Sequence, residues 1–180
     1  MGHDPLFSHS RAELTGAPSE LKLPKLSPER KGTLESIHAR IDAFAEHLFT
    51  AHTIFSETQK REPGSLEAKA AIFNAKQHVQ SALHELASTM HLIDLNPDQV
   101  SHIATHLHRA SHQLTRIKAL TELVLRTDRT THYPKALDIL ALACPRASYD
   151  LESSLGEPLK RALRAPRDSE GENPPPALTS

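Results

Sequence analysis

The sequence has one cysteine, no tryptophan and only six glycines among its 180 residues. A single cysteine excludes an internal disulfide framework and any zinc module built on several cysteines. The glycines are scattered, so the sequence has none of the glycine-rich loops that cradle nucleotide phosphates. It also lacks the Gly-x-Ser-x-Gly turn of the α/β hydrolases. These features favour a protein that is not an enzyme and that needs no cofactor.

A large excess of one charge and long apolar runs are missing as well. The 21 Lys and Arg residues and the 22 Asp and Glu residues give a formal net charge of -1. Nucleic-acid-binding domains usually carry a marked basic excess, so this balance disfavours nucleic acid as a partner. No apolar run approaches the roughly 18 to 20 residues that a membrane-spanning helix needs, so we expect no transmembrane segment.

Proline, serine and charged residues without periodicity occupy both ends of the chain. We expect residues 1–26 to be a disordered segment, residues 27–163 to form a helical bundle domain, and residues 164–180 to be a disordered, proline-rich tail. Residues 1–26 contain no basic start followed by an apolar stretch, unlike a secretory signal. This indicates cytoplasmic synthesis, and secretion by a route that needs no signal peptide is the open alternative.

The most regular pattern in the chain is an apolar heptad repeat. It begins after Ser27-Pro28-Glu29, which combines a hydroxyl cap, a proline in the first turn and an early carboxylate. It stops at Glu62-Pro63-Gly64. Between these points apolar residues alternate at intervals of three and four, which indicates one buried helix face. The expected core positions are Leu34, Ile37, Ile41, Phe44, Leu48, Ala51 and Phe55.

Two further helices with similar spacing follow. We predict the second from Ser65 to about Ile93, and the third from the cap at Asn96 to the polar run that starts at Asp128. The expected core positions of the second are Ile72, Ala75, Val79, Ala82, Leu83, Leu86, Met90 and Ile93. Those of the third are Ile103, Leu107, Ala110, Leu114, Ile117 and Val124.

The last part of the helical region has weaker patterns. A fourth helix is predicted over about 134–143, ended by Pro145 because proline inside a helix removes a hydrogen bond. A weak fifth element is predicted over 149–163, interrupted by Gly156 and Pro158. Short connections place consecutive helices antiparallel. The expected fold is therefore all-α, an up-down antiparallel bundle of four main helices with a weak fifth element.

Histidine is abundant, and the third predicted helix carries two pairs spaced four residues apart. Residues at this spacing share a helix face and can chelate a divalent metal. At about 100° per residue, His102 and His106 border the apolar stripe, whereas His108 and His112 face away from it. His102 and His106 are therefore candidate metal ligands if a neighbouring helix adds another. The alternative is that they are ordinary surface and boundary imidazoles.

The surroundings of His106 are similar to those of the phosphorylated histidine in histidine phosphotransfer domains, which are four-helix bundles. That family has a basic residue three positions after the histidine and a small residue next to it, where this chain has Arg109 and Ala110. The chain departs from the pattern at His108, where the family has an apolar residue, and at Ala110, where it has glycine. The resemblance covers only this short stretch and implies a phosphate relay at His106.

Basic residues collect at one end of the predicted bundle, where the first and third helices end and the second and fourth begin. They are Lys60, Arg61, Lys69, Arg126, Arg129, His132 and Lys135. Together with the unpaired N–H groups of two helix starts, this basic tip is a candidate site for a phosphate or a lipid head group. The alternative is that these cations only complement the helix dipoles.

The function that these patterns favour is that of a non-catalytic interaction module. It would dock a protein partner, or an anionic surface of phosphate or lipid head groups, through the basic tip, and a bacterial secreted effector is one such setting. The alternative is a histidine-dependent bundle that binds metal through His102 and His106 or relays phosphate at His106. The heptad repeat is also compatible with a homo-oligomer, because the same pattern mediates packing within and between chains.

Overall fold

The computed structural model describes residues 27–94, 97–127 and 132–165, and over these residues the chain is almost entirely helical. They contain no strand, which confirms the all-α fold class. The two predicted disordered tails lie outside them, except that the last helix ends at Arg164. The elements are α1 (Pro28–Thr58), α2 (Leu66–Asp94), α3 (Pro97–Arg126), α4 (Tyr133–Leu151), a π-helical turn (Glu152–Gly156) and α5 (Glu157–Arg164).

Serine caps begin the first two helices. The Ser27 hydroxyl accepts a hydrogen bond from the N–H of Arg30 at 3.2 Å, and the Ser65 hydroxyl accepts one from Ala68 at 3.1 Å. Each satisfies an N–H that has no partner within its helix. In the turn before Ser65, Gly64 has a φ of 76°, a left-handed conformation that glycine adopts without steric cost.

The predicted core stripes are confirmed. All seven α1 positions are buried, each exposing at most 2% of its surface, and those of α3 are buried as well. In α2 only Leu83 and Met90 are partly rather than fully buried. The two phenylalanines of the stripe, Phe44 and Phe55, are among the largest fully buried side chains.

The four long helices form a closed ring. Each packs on its neighbours along the chain, and α4 also packs on α1. The diagonal pairs, α1 with α3 and α2 with α4, make no close approach within the described ranges. This is the arrangement expected of an up-down bundle with short connections. Of its two neighbours, α4 packs more closely on α1 than on α3.

The predicted end of the fourth helix at Ala143 is wrong, because α4 continues to Leu151 with Pro145 inside it. Proline has no N–H, so the carbonyl of Ala141, four residues earlier, lacks its usual helical donor. A histidine of α1 takes that place: His52 Nδ1 lies 2.6 Å from the Ala141 oxygen. The ring N–H of His52 thus donates to the carbonyl that Pro145 leaves open.

The predicted interruption at Gly156 and Pro158 is a change of helix type rather than a break. The N–H of Glu157 bonds the carbonyl of Glu152, five residues earlier, as in a π-helix. Gly156 is buried here, and a Cβ at its position would lie 3.4 Å from Ile41 Cγ2. The π turn therefore packs against α1 at a distance that leaves room for a methyl group but little more.

Candidate functional site

Six of the seven residues of the predicted basic tip lie at one end of the bundle, beside the ends of α1 and α3 and the starts of α2 and α4. They are Lys60, Arg61, Lys69, Arg126, His132 and Lys135. Arg129 lies outside the described residues. Tyr133 is buried at this end, which raises the pKa of its hydroxyl, and the nearby backbone of Gly64 opposes that shift.

Part of the charge of the tip is compensated within the chain. Arg61 Nη1 lies 3.6 Å from Glu67 Oε2, across the turn between α1 and α2. Lys69 also has an interaction partner. Exposed ion pairs contribute little to stability, but each one lowers the net charge that the tip presents to a ligand.

The candidate metal ligands lie on α3. His106 is half-buried, whereas His108 and His112 are exposed, as their spacing predicts. The side chain of His102 is not among those that the structure describes. Among the side chains that it does describe, no three His, Cys, Asp or Glu residues come together as a metal site. Metal binding through His102 and His106 therefore stays a prediction.

His106 and Arg109 line one cavity of about 270 Å³ beside the π turn. The opposite wall is formed by residues at the end of α4 and in the π turn, namely Asp150, Leu151, Ser153 and Ser154. The structure thus brings together the two residues that resemble the phosphotransfer pattern. Phosphate relay at His106 remains a prediction.

This cavity adjoins two others along the seam between α3 and α4. The second, of about 420 Å³, shares Gln113 with the first, and the third, of about 430 Å³, shares Leu120 with the second. Together they form the α3–α4 groove, which follows residues 106–127 of α3. At 1.5 Å per residue, the groove is about 30 Å long. It ends at His132, beside the basic tip.

The walls of the α3–α4 groove are mainly apolar. Its apolar lining comprises Ile117, Leu120, Leu123 and Val124 of α3, and Ala136, Ile139, Leu140, Ala143 and Ala147 of α4. The three alanines of α4 are too small to fill the seam, which accounts for the looser packing of α4 on α3. Leu123 and Ile139 remain 59% and 48% exposed. The groove therefore offers large apolar side chains to solvent.

Three arginines lie along the same groove: Arg109, Arg116 and Arg146. All three are exposed, and none forms an ion pair within the described part of the chain. Among the described residues that line the groove, the one carboxylate is that of Asp150, whose Oδ2 accepts a hydrogen bond from Gln113 Nε2 at 3.0 Å. The groove thus has an apolar floor and a cationic rim.

Cys144 is buried, as its place in an apolar run indicated. Burial raises the pKa of its thiol to about 12. The thiol is the weakly nucleophilic form of cysteine. At neutral pH this residue is thus a small apolar part of the core.

Comparison with known proteins adds no assignment: no protein-family model, curated protein or solved structure matches the chain. No helix among the described residues is long and apolar enough to cross a membrane. The α3–α4 groove and the basic tip are therefore the two surfaces whose geometry and chemistry bear on function.

Sequence reasoning had singled out the tip and the histidines but not the groove. Two signals in the sequence point to it. Small residues recur on the inner side of α4 at Ala136, Ala143 and Ala147, and Leu123 and Ile139 lie outside the core stripes of their helices. Neither signal shows which neighbouring helix each residue faces. The facing helix is decided only when α4 packs against both α1 and α3 and closes the ring.

Proposed function

We propose that this chain is a non-catalytic interaction module that docks a helical segment of a protein partner in the α3–α4 groove. The observation that carries the proposal is the continuity of three cavities along one seam, two of which have mainly apolar walls. An amphipathic helix laid into an apolar groove is a recurring mode of peptide recognition. A groove of about 30 Å accommodates a helix of about 20 residues at 1.5 Å per residue.

The exposed apolar side chains support this choice of surface. Leu123 and Ile139 lie on opposite walls of the groove, and each keeps about half of its surface exposed. Burying about 100 Å² of such surface under a partner helix would contribute about 2.5 kcal/mol before the costs of association. The docking energy thus comes from side chains that the bundle itself does not use.

The basic tip becomes an extension of this surface rather than the primary site. The groove opens at the tip beside His132, so a docked helix would continue towards Arg126 and Lys135. Binding of phosphate or lipid head groups at the tip alone has weaker support, because Arg61 is paired and Lys69 is engaged.

Site-specific photo-cross-linking in the cell that makes the protein tests this proposal. A photoreactive side chain at Leu123, in the groove, is compared with one at Phe73 of α2, which is similarly exposed at 54%. We expect a defined cross-linked partner at position 123, at least fivefold more abundant than at 73. Ile139→Glu, which places a charge in the groove, should remove most of that product.

Two results would contradict the docking proposal. One is equal cross-linking at positions 123 and 73, which would indicate random collisions. The other is a product at position 123 that Ile139→Glu leaves unchanged, although circular dichroism shows the variant to be folded.

A further inference from the structure

We propose that the helix docked in the α3–α4 groove is acidic, with carboxylates flanking its apolar stripe. This inference rests on the proposed docking function and specifies the chemistry of the partner. It is carried by the distribution of charge around the groove, where three arginines form no ion pair within the described part of the chain, whereas the α1–α2 and α2–α3 seams each contain a paired cation.

Charged residues at two other seams are matched within the chain. Arg40 Nη1 lies 3.3 Å from Glu85 Oε2 between α1 and α2. Lys76 Nζ lies 3.3 Å from Glu122 Oε1 between α2 and α3. Each seam therefore has a local carboxylate for its cation.

The α3–α4 groove has cations without such partners. Arg109 and Arg116 are seven residues apart on α3, so they lie two turns apart on the same side of the helix. Arg146 stands on the other wall and lines the same cavity as Arg116. None of the three pairs with a carboxylate in the described part of the chain. Asp150, the carboxylate nearby, is hydrogen-bonded to Gln113.

Apolar and cationic side chains share the middle of the groove. Leu123 lies towards the basic tip, Ile139 lines the same cavity as Arg116 and Arg146, and Arg109 lies beside the π turn. An arginine guanidinium binds a carboxylate with two parallel hydrogen bonds. A complementary helix therefore needs apolar residues along one face, with Asp or Glu on the flanks of the part that lies between Arg116 and Arg146.

Two designed peptides of about 20 residues test this inference by fluorescence anisotropy with the full chain. Both carry the same leucine stripe at helical spacing, and their flanking positions are all Glu in one and all Lys in the other. We expect the Glu peptide to bind at least tenfold more tightly than the Lys peptide. Raising the salt concentration to about 0.5 M should reduce this difference, because exposed charges are screened.

A charge-reversed variant gives the sharper comparison. Arg116→Glu combined with Arg146→Glu should reverse the preference, so that the Lys peptide binds more tightly. The matched control combines Lys31→Glu with Arg161→Glu, two exposed positions outside both the groove and the basic tip that make the same change in net charge. We expect the control to keep the preference of the unaltered chain within about threefold.

Each other outcome overturns the inference in a recognisable way. Equal binding of both peptides, or a reversed peptide preference in the control variant as well, shows that the groove arginines do not select the partner. Cross-linking at position 123 would still support the docking function in that case. If neither peptide binds, the proposal of an acidic helical partner is overturned directly.

Two further results would assign the groove to another occupant. Peptide binding only after removal of residues 166–180, which include Asp168, Glu170 and Glu172, would assign the groove to the chain's own tail. A concentration-dependent dimer that Leu123→Asp abolishes would assign it to a second copy.

Discussion

Replacing His52 by leucine is expected to lower the free energy of unfolding by about 1–3 kcal/mol, the cost of leaving a buried carbonyl without a donor. The carbonyl concerned is that of Ala141, which Pro145 deprives of its helical partner and which His52 Nδ1 approaches to 2.6 Å. The size of this effect depends on the proline. Pro145→Ala restores an N–H four residues after Ala141, and His52 then becomes dispensable.

A double-mutant cycle measures this dependence. The four chains are the unaltered protein, His52→Leu, Pro145→Ala and the double variant, each unfolded in urea and followed by circular dichroism. Pro145→Ala alone should stabilise the protein by up to about 3 kcal/mol, the usual penalty of an internal helical proline. In the Pro145→Ala background, His52→Leu should lower the free energy of unfolding by less than about 0.5 kcal/mol, in the range of ordinary surface substitutions.

The control for this cycle is His84→Leu, at an exposed histidine of α2. Its effect should stay within about 0.5 kcal/mol in both backgrounds. Additive effects of His52→Leu and Pro145→Ala would show that the two residues act independently, and the explanation for the uninterrupted α4 would then be wrong.

Phe44→Ala is expected to cost about 3–5 kcal/mol, because it removes a large side chain from the core and leaves a cavity. Phe44 is fully buried on the inner face of α1. Phe49 is the matched control, since it is the same residue type on the same helix but is 70% exposed. Phe49→Ala should change the free energy of unfolding by less than about 1 kcal/mol. Similar costs for the two substitutions would contradict the orientation of the α1 heptad repeat.

The heptad spacing was sufficient to predict the core of α1. Apolar residues at intervals of three and four define a face whatever the partner is, and the seven predicted core positions of α1 are all buried. The helix starts at Ser27 and Ser65 were also predictable, because a capping hydroxyl acts on N–H groups only three residues away.

The continuation of α4 through Pro145 was not predictable from local sequence. Proline inside a helix ordinarily ends it, and the compensating donor, His52, lies 89 residues away along the chain. Only the packing of α4 on α1 brings the two together. The groove could not be predicted from local sequence for the same reason. Leu123 and Ile139 line one groove only after the ring of helices has closed.

The sequence predicts a docking function at the basic tip, whereas we propose the α3–α4 groove as the docking surface. Composition and the absence of catalytic motifs favoured an interaction module, and the basic tip was the surface that the order of the helices made visible. The arginines of the groove were not singled out, because Arg116 and Arg146 meet only across two helices. The metal and phosphate hypotheses for His106 stay as predictions.

The most direct test of the docking account is a map of the contact surface by methyl NMR. The full chain, labelled at its isoleucine and leucine methyl groups, is titrated with the acidic peptide. We predict that the largest shifts fall on Leu120, Leu123 and Ile139, while Leu83, a partly buried leucine in the middle of α2 outside the groove and the basic tip, stays unchanged. Shifts centred on Leu83, or spread evenly over exposed methyl groups, would contradict the assignment of the α3–α4 groove as the docking site.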